Sequence, residues 1–331
     1  MTMALATNLV KGAGVLAGSA LAAAGGWWVY SRLGIDHDLY LPPALDAARR
    51  DFVGAAGRSS YYSEAQAAGR PLVLVHSVNA AASAFEVKPL FERYRGRRPV
   101  YALELPGYGF SERARRSYTP ELFATALREF LATHIDEPAD VVALSLSSEF
   151  AARAALAAPE RFNTLAFISP TGMNTKREAR ASVKAGEQGG NDTFYRVASN
   201  PLWAKAFYDL IATQTSIHYF LQQSFVGEVP PDLAAYAYLT SHQPGAEHVP
   251  LHFISGKLFT PRARERLYKH LPMPTLVLFD EDAFVSFEKL PALLASNTNV
   301  QAVRLEPSRG LPHFDLPERT VAALDAFWQA V

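Results

Sequence analysis

The 331-residue chain has no cysteine, which excludes disulfides, thiolate metal sites and cysteine nucleophiles together and leaves stability to packing. It has no surplus of either charge: 32 Lys and Arg stand against 32 Asp and Glu, so no net field steers it toward nucleic acid or another polyanion. Internal repeats, low-complexity tracts, phosphate-cradling glycine loops and clusters of metal-ligating side chains are also missing, so neither a metal nor an organic cofactor is expected. What remains is 49% apolar residues, enough for one large α/β domain with an insertion.

The amino end holds a long uncharged run dominated by Ala and Gly, "GAGVLAGSALAAAGGWWVY", residues 12–30, between Lys11 and Arg32. As a helix it would span about 28 Å, close to the thickness of a bilayer core. With Trp27, Trp28 and Tyr30 as interfacial side chains it reads first as a membrane anchor. The alternatives are a cleaved secretory signal, which would place the protein outside the cytoplasm, and an Ala-rich helix packed on the protein itself. Residues 1–35 therefore form a segment of their own.

Beyond it, "DLYLPPALDAARR" reads as a linker and a short helix. Short apolar runs then recur at 71–76, 99–105, 140–144, 164–169, 274–279 and 301–306. Runs of this length fit strands buried on both faces of a parallel sheet. Between them lie helical patterns such as "TPELFATALREFLATH", with Thr119 as N-cap and Pro120 at the first helical position. The alternation predicts an α/β fold with a mostly parallel, doubly wound sheet. The strand pattern stops from 171 to 272, where the chain turns helical and aromatic, and then resumes. The expected division is a core of 36–170 and 273–331 with a helical cap inserted at 171–272, and the polar stretch 176–192 is expected to be a mobile loop.

"VVALSLSSEFAARAA", residues 141–155, places three serines behind a buried strand and ahead of a helix. A nucleophilic serine sits on such a turn with small residues two positions to either side. Ser145 meets that condition with Ala143 and Ser147, whereas Ser147 would put Glu149 in the crowded position. Ser147 and Ser148 then serve the helix start, where hydroxyls accept from free N–H groups.

With Ser145 at the turn, the chain resembles the α/β-hydrolase family. The matching landmarks are His76-Ser77 for the family's "HG", "ELPGYGFS" (104–111) for "DLPGxGxS", Pro159-Glu160-Arg161 after the serine helix, "PTLVLFD" (274–280) for "PTLVLxG", and "GLPHFDLPE" (310–318) for "GHxxxxExPE". The resemblance implies a Ser, acid, His order carried by Ser145, Asp282 and His313, with Asp280 as the alternative acid and Glu281 third. It implies an oxyanion hole from the backbone N–H groups of Val78 and Leu146. Ser77, Ala143 and Ser147 depart from the family's usual glycines and bear on that hole rather than on the fold. The aromatic insertion is expected to line a pocket for a bulky apolar substrate, with Trp203, Phe207, Tyr219 and Phe220 as candidates. The expected activity is cleavage of a small lipophilic carboxylic ester through an acyl-enzyme. The alternatives are carbon–carbon bond hydrolysis, acyl transfer or cofactor-free peroxidase chemistry on the same fold, and a non-catalytic binding protein.

Overall fold

Residues 23–174 and 189–331 are described by the structure, a computed structural model. Residues 12–22 of the apolar run and 176–188 of the polar stretch lie outside them. Among the described residues eight strands make one sheet: β1 Ala48–Gly54, β2 Gly57–Glu64, β3 Leu72–Val75, β4 Val100–Glu104, β5 Ala139–Leu144, β6 Phe162–Ile168, β7 Thr275–Phe279 and β8 Val300–Arg304. Their order across the sheet is β1-β2-β4-β3-β5-β6-β7-β8. The first two pairings are antiparallel, and every pairing from β4 to β8 is parallel.

The parallel strands β3 to β7 are buried on both faces, as their largely apolar sequences require, whereas β8, read from 301–306 as another buried strand, is an edge with Gln301, Val303 and Arg304 exposed. Val73, Val75, Val141, Ala143, Leu165, Phe167 and Val277 join one core cluster, while Leu72, Leu74, Val142, Leu144, Ala166, Ile168, Leu276 and Leu278 join another. This alternation along each strand is the period of two that sends successive side chains to opposite layers. Helices α2 (Lys88–Tyr94), α3 (Pro120–His134), α4 (Ser147–Ala157), α11 (Leu290–Ser296), α12 (Pro312–Asp315) and α13 (Pro317–Gln329) flank the sheet, and a 3₁₀ turn, Ala84–Val87, precedes α2. Helix α3 begins as its sequence predicts, with the Thr119 side chain accepting from the Leu122 N–H. Between β6 and β7 the described residues form only helices and turns: α5 (Asp192–Ala198), α6 (Ala204–Ile211), α7 (Gln214–Gln222), α8 (Pro231–Ser241), α9 (His248–Ile254) and α10 (Ala263–Arg266), with a 3₁₀ turn at Tyr268–His270.

The amino-terminal reading needs correction. No short helix follows the linker, because Ala48–Arg50 open strand β1, which turns back through Gly57 at φ +87° to pair with β2. β1 is an exposed, charged edge, and its polar sequence carries none of the apolar signal of the buried strands. Ahead of it, residues 23–33 form helix α1. Trp27 donates its indole N–H to the Ala206 carbonyl at 2.7 Å, and Trp28 donates to that of Leu202. Ser31 and His37 both bond the buried carboxylate of Asp209. Among the described residues no helix is long and apolar enough to cross a membrane.

Candidate active site

The parallel register brings the carboxyl ends of the central strands level. Val75 pairs with Ala143, Leu144 with Ile168 and Ile168 with Leu278. The segments that follow β3, β5, β6 and β7 therefore leave the sheet at one rim, where ligands of open α/β sheets bind.

Ser145 is the first residue beyond β5 and has φ +49°, in the left-handed region that L-residues avoid. Strain of this kind persists only where the surroundings impose it. Here the Ser145 N–H is tied to the Ile168 carbonyl at 2.8 Å while its own carbonyl accepts from the Ser148 N–H at 3.1 Å. The turn leaves Ser145 half-buried, with no hydrogen bond from its hydroxyl among the described residues.

Ser147 and Ser148 do not accept helix N–H groups. Instead Ser147 donates to the His76 carbonyl at 2.6 Å and Ser148 to that of Ala143 at 3.2 Å. The Ser147 bond stitches the turn after β5 to the loop after β3, a link a glycine could not make. That loop is fixed from two more sides. The Leu105 N–H must donate to His76 Nε2 (3.0 Å), so His76 carries its proton on Nδ1 and gives it to the Ser77 carbonyl. Burial pushes this imidazole down to about 4, keeping it neutral. The buried Glu86 carboxylate accepts from the Ser77 N–H at 2.8 Å and from Asn79 at 2.9 Å. Ser77 has no left-handed φ, so its backbone is unstrained without a glycine. The N–H groups of Val78 and Leu146, both in buried residues, donate to no described residue.

Of the two aspartates after β7, Asp280 is committed elsewhere. Burial works against its ionisation, but the Ser308 N–H at 2.9 Å and the Arg304 guanidinium at 2.7 Å hold its carboxyl below the usual range. Asp282 accepts the Phe284 and Val285 N–H groups on one oxygen, at 2.7 and 3.2 Å. Its second oxygen faces Gly310, where a Cβ would stand 3.1 Å away. Burial pushes this carboxyl up against those two bonds.

His313 does not join them. The ring is fully buried and Nε2 lies 2.7 Å from the Glu86 carbonyl, which can only accept, so Nε2 bears the proton. Nδ1 has no partner among the described residues, and burial pushes the imidazole down to about 4. Neither Ser145 nor Asp282 hydrogen-bonds to it. The ring borders a cavity of about 280 Å³ shared with Leu90, Arg93 and Val321, between α2 and α13. The sequence-derived triad is thus not joined by hydrogen bonds in this structure, because Nε2 is taken by the Glu86 carbonyl and Nδ1 bonds neither Asp282 nor Ser145.

The four aromatic candidates are dispersed. Trp203 bonds the Val197 carbonyl, Phe207 packs on Ala198, Ala204 and Leu251, and Tyr219 and Phe220 pair edge to face on the exposed side of α7. Phe225 and Tyr236, which the sequence reading did not single out, are buried over the sheet instead. A cavity of about 600 Å³ lies between α1, α6 and α9, lined by Arg32, Arg115, Arg116 and Lys205 against Glu247; none of Ser145, Asp282 and His313 borders it.

This architecture is that of the alpha/beta hydrolases. The family's model matches residues 72–323, and the chain belongs to that family. No curated protein matches its sequence. Similar solved structures include a membrane phospholipase A described as a bacterial virulence factor (19% identity, 100% of this chain and 99% of that one, TM-score 0.65). Another is a thermophilic esterase from Thermogutta terrifontis (18%, 86% and 99%, TM-score 0.64). A third is a meta-cleavage product hydrolase from Pseudomonas fluorescens IP01 (16%, 85% and 97%, TM-score 0.63). At these identities the likeness is one of fold.

Proposed function

We propose that the site engages the carbonyl of a lipophilic carboxylic ester, with Ser145 as the acyl acceptor. The observation that carries this reading is the strained φ of +49° at Ser145, imposed at the rim of a parallel sheet beside two unengaged N–H groups. Buried N–H groups without partners are costly. A carbonyl oxygen turning into an oxyanion between Val78 and Leu146 would satisfy both, and each such donor contributes about 2.7–4 kcal/mol to the transition state. The ester fits the fold's hydrolytic chemistry, and the two aromatics that the inserted segment buries over the sheet, Phe225 and Tyr236, favour an apolar acyl chain.

In the reaction, Ser145 Oγ bonds the acyl carbon, the ester C–O bond breaks, and the hydroxyl proton passes through solvent water to the departing alkoxide. Water then attacks the acyl carbon, the C–Oγ bond breaks, and the serine recovers its proton. A second reading, ligand binding without turnover, is favoured by the bond that holds His313 on Glu86.

Intact-mass spectrometry after incubation with p-nitrophenyl esters of increasing chain length tests the proposal. An acyl adduct that maps to Ser145, grows with chain length and is missing from Ser145→Ala is expected. An adduct that persists in that variant, or none with any ester, would overturn it.

A further inference from the structure

Two positions in the segment after β8 bear on the missing base. A triad imidazole must touch the carboxylate with one nitrogen and the serine with the other. The free oxygen of Asp282 meets residue 310, not 313: a Cβ on Gly310 would lie 3.1 Å from Asp282 Oδ2 and 3.3 Å from Ser224 Oγ. Both neighbours are side-chain atoms, so a few tenths of an ångström of movement would admit it. Gly310 also has no left-handed φ, and the backbone therefore does not demand glycine there.

The sequence gives an independent count. In the pattern "GHxxxxExPE", reading back from Pro317-Glu318 puts Asp315 at the acidic position and the histidine at 310. His313 falls within the four unspecified positions. The segment is held in register from the inserted helices, with the Leu311 N–H donating to the Ser224 carbonyl at 3.3 Å and the Val226 N–H facing Asp315.

We propose that position 310 is the place of the general base in this site, and that this chain, with glycine there, supplies no imidazole between Asp282 and Ser145. This rests on Ser145 being the acyl acceptor. The native protein then holds its substrate and transfers the acyl group slowly, and a small nitrogen base entering beside Gly310 accelerates both acyl steps. His313 is a packing residue of the α2/α13 interface.

The test is the rate of p-nitrophenyl butyrate hydrolysis by the full chain in a rising series of imidazole concentrations. General-base catalysis is worth about 10²–10⁴-fold when fully placed, and a saturable rise of about tenfold or more is expected from a freely diffusing base. Asp282→Asn should remove the saturable part, His313→Gln should keep it, and Gly310→His should hydrolyse faster than native without imidazole. A native rate that ignores imidazole and collapses in His313→Gln would overturn the inference, as would a rise linear in imidazole and equal in Asp282→Asn. Because the native chain carries the main arm, misfolding of Gly310→His would leave the test intact. In the acyl-adduct measurement, no adduct at any imidazole concentration would instead overturn Ser145 as acceptor.

Discussion

At the scale of single residues, the decisive pair is Gly310 and His313. A glycine has no side chain to mark it in a sequence, whereas a histidine in a loop followed by "FDLPE" does, and the eye goes to the imidazole. The orientation of Asp282 and the count back from Pro317-Glu318 separate the two. If His313 is a packing residue, His313→Ala should lose about 2–4 kcal/mol in denaturant unfolding, from the vacated core volume and the lost bond to Glu86. Its acylation at Ser145 should stay within about threefold of native, a far smaller loss than removal of a catalytic base causes; a collapse to the Ser145→Ala background would contradict the assignment. Burial also marks Glu104 and Glu149, whose carboxyls are pushed up to about 7 from the usual 4.5. With the folded value above the unfolded one, the folded state holds the extra proton, so this contribution is full below pH 4.5 and is lost as pH rises to about 7. At 1.36 kcal/mol per pKa unit each group costs about 3 kcal/mol above that range. Glu149→Gln should therefore gain stability relative to native between pH 5 and pH 8, and parallel stability curves would contradict it.

At the scale of elements, the buried strands were readable because each must be apolar on both faces. The β1–β2 hairpin was not, since an exposed edge strand such as "ARRDFVG" carries charge where the pattern would have to show. Ser147 teaches the same lesson: the sequence offers it as a helix cap, but only the fold reveals that it bridges to the His76 carbonyl. The entry into β5 depends on another such network. Asp140, almost fully buried, accepts from Asn163 and Thr164 at 2.7 Å each and pairs with Arg98. Removing one partner of a buried ion pair typically costs about 3–5 kcal/mol. Asp140→Ala should fall in that range by chemical denaturation, with Asp140→Asn losing less; a loss below about 1 kcal/mol, the worth of an exposed pair, would show the network to be dispensable.

At the scale of the whole molecule, α1 and the inserted helices meet through Asp209, which binds both Ser31 and His37 while the two indoles grip α6 and the turn before it. The contacts of residues 27–37 were not legible, because apolarity does not specify what it is buried against, and residues 12–22 of the apolar run lie outside the described residues. Asp209→Ala should speed hydrogen exchange at the amides of 27–34 with little change in the sheet, and unchanged exchange there would contradict the docking. The fold as a whole was legible from strand spacing and loop landmarks. The site was legible only in part: it depends on which oxygen of Asp282 faces which neighbour, and that is a property of packing.

The central claim is that Ser145 is the reactive hydroxyl, and peptide mapping of a fluorophosphonate adduct tests it most directly. The account predicts one adduct, on Ser145, forming faster when imidazole is present. An adduct on Ser147, Ser148 or another residue, or none at any imidazole concentration, would contradict it.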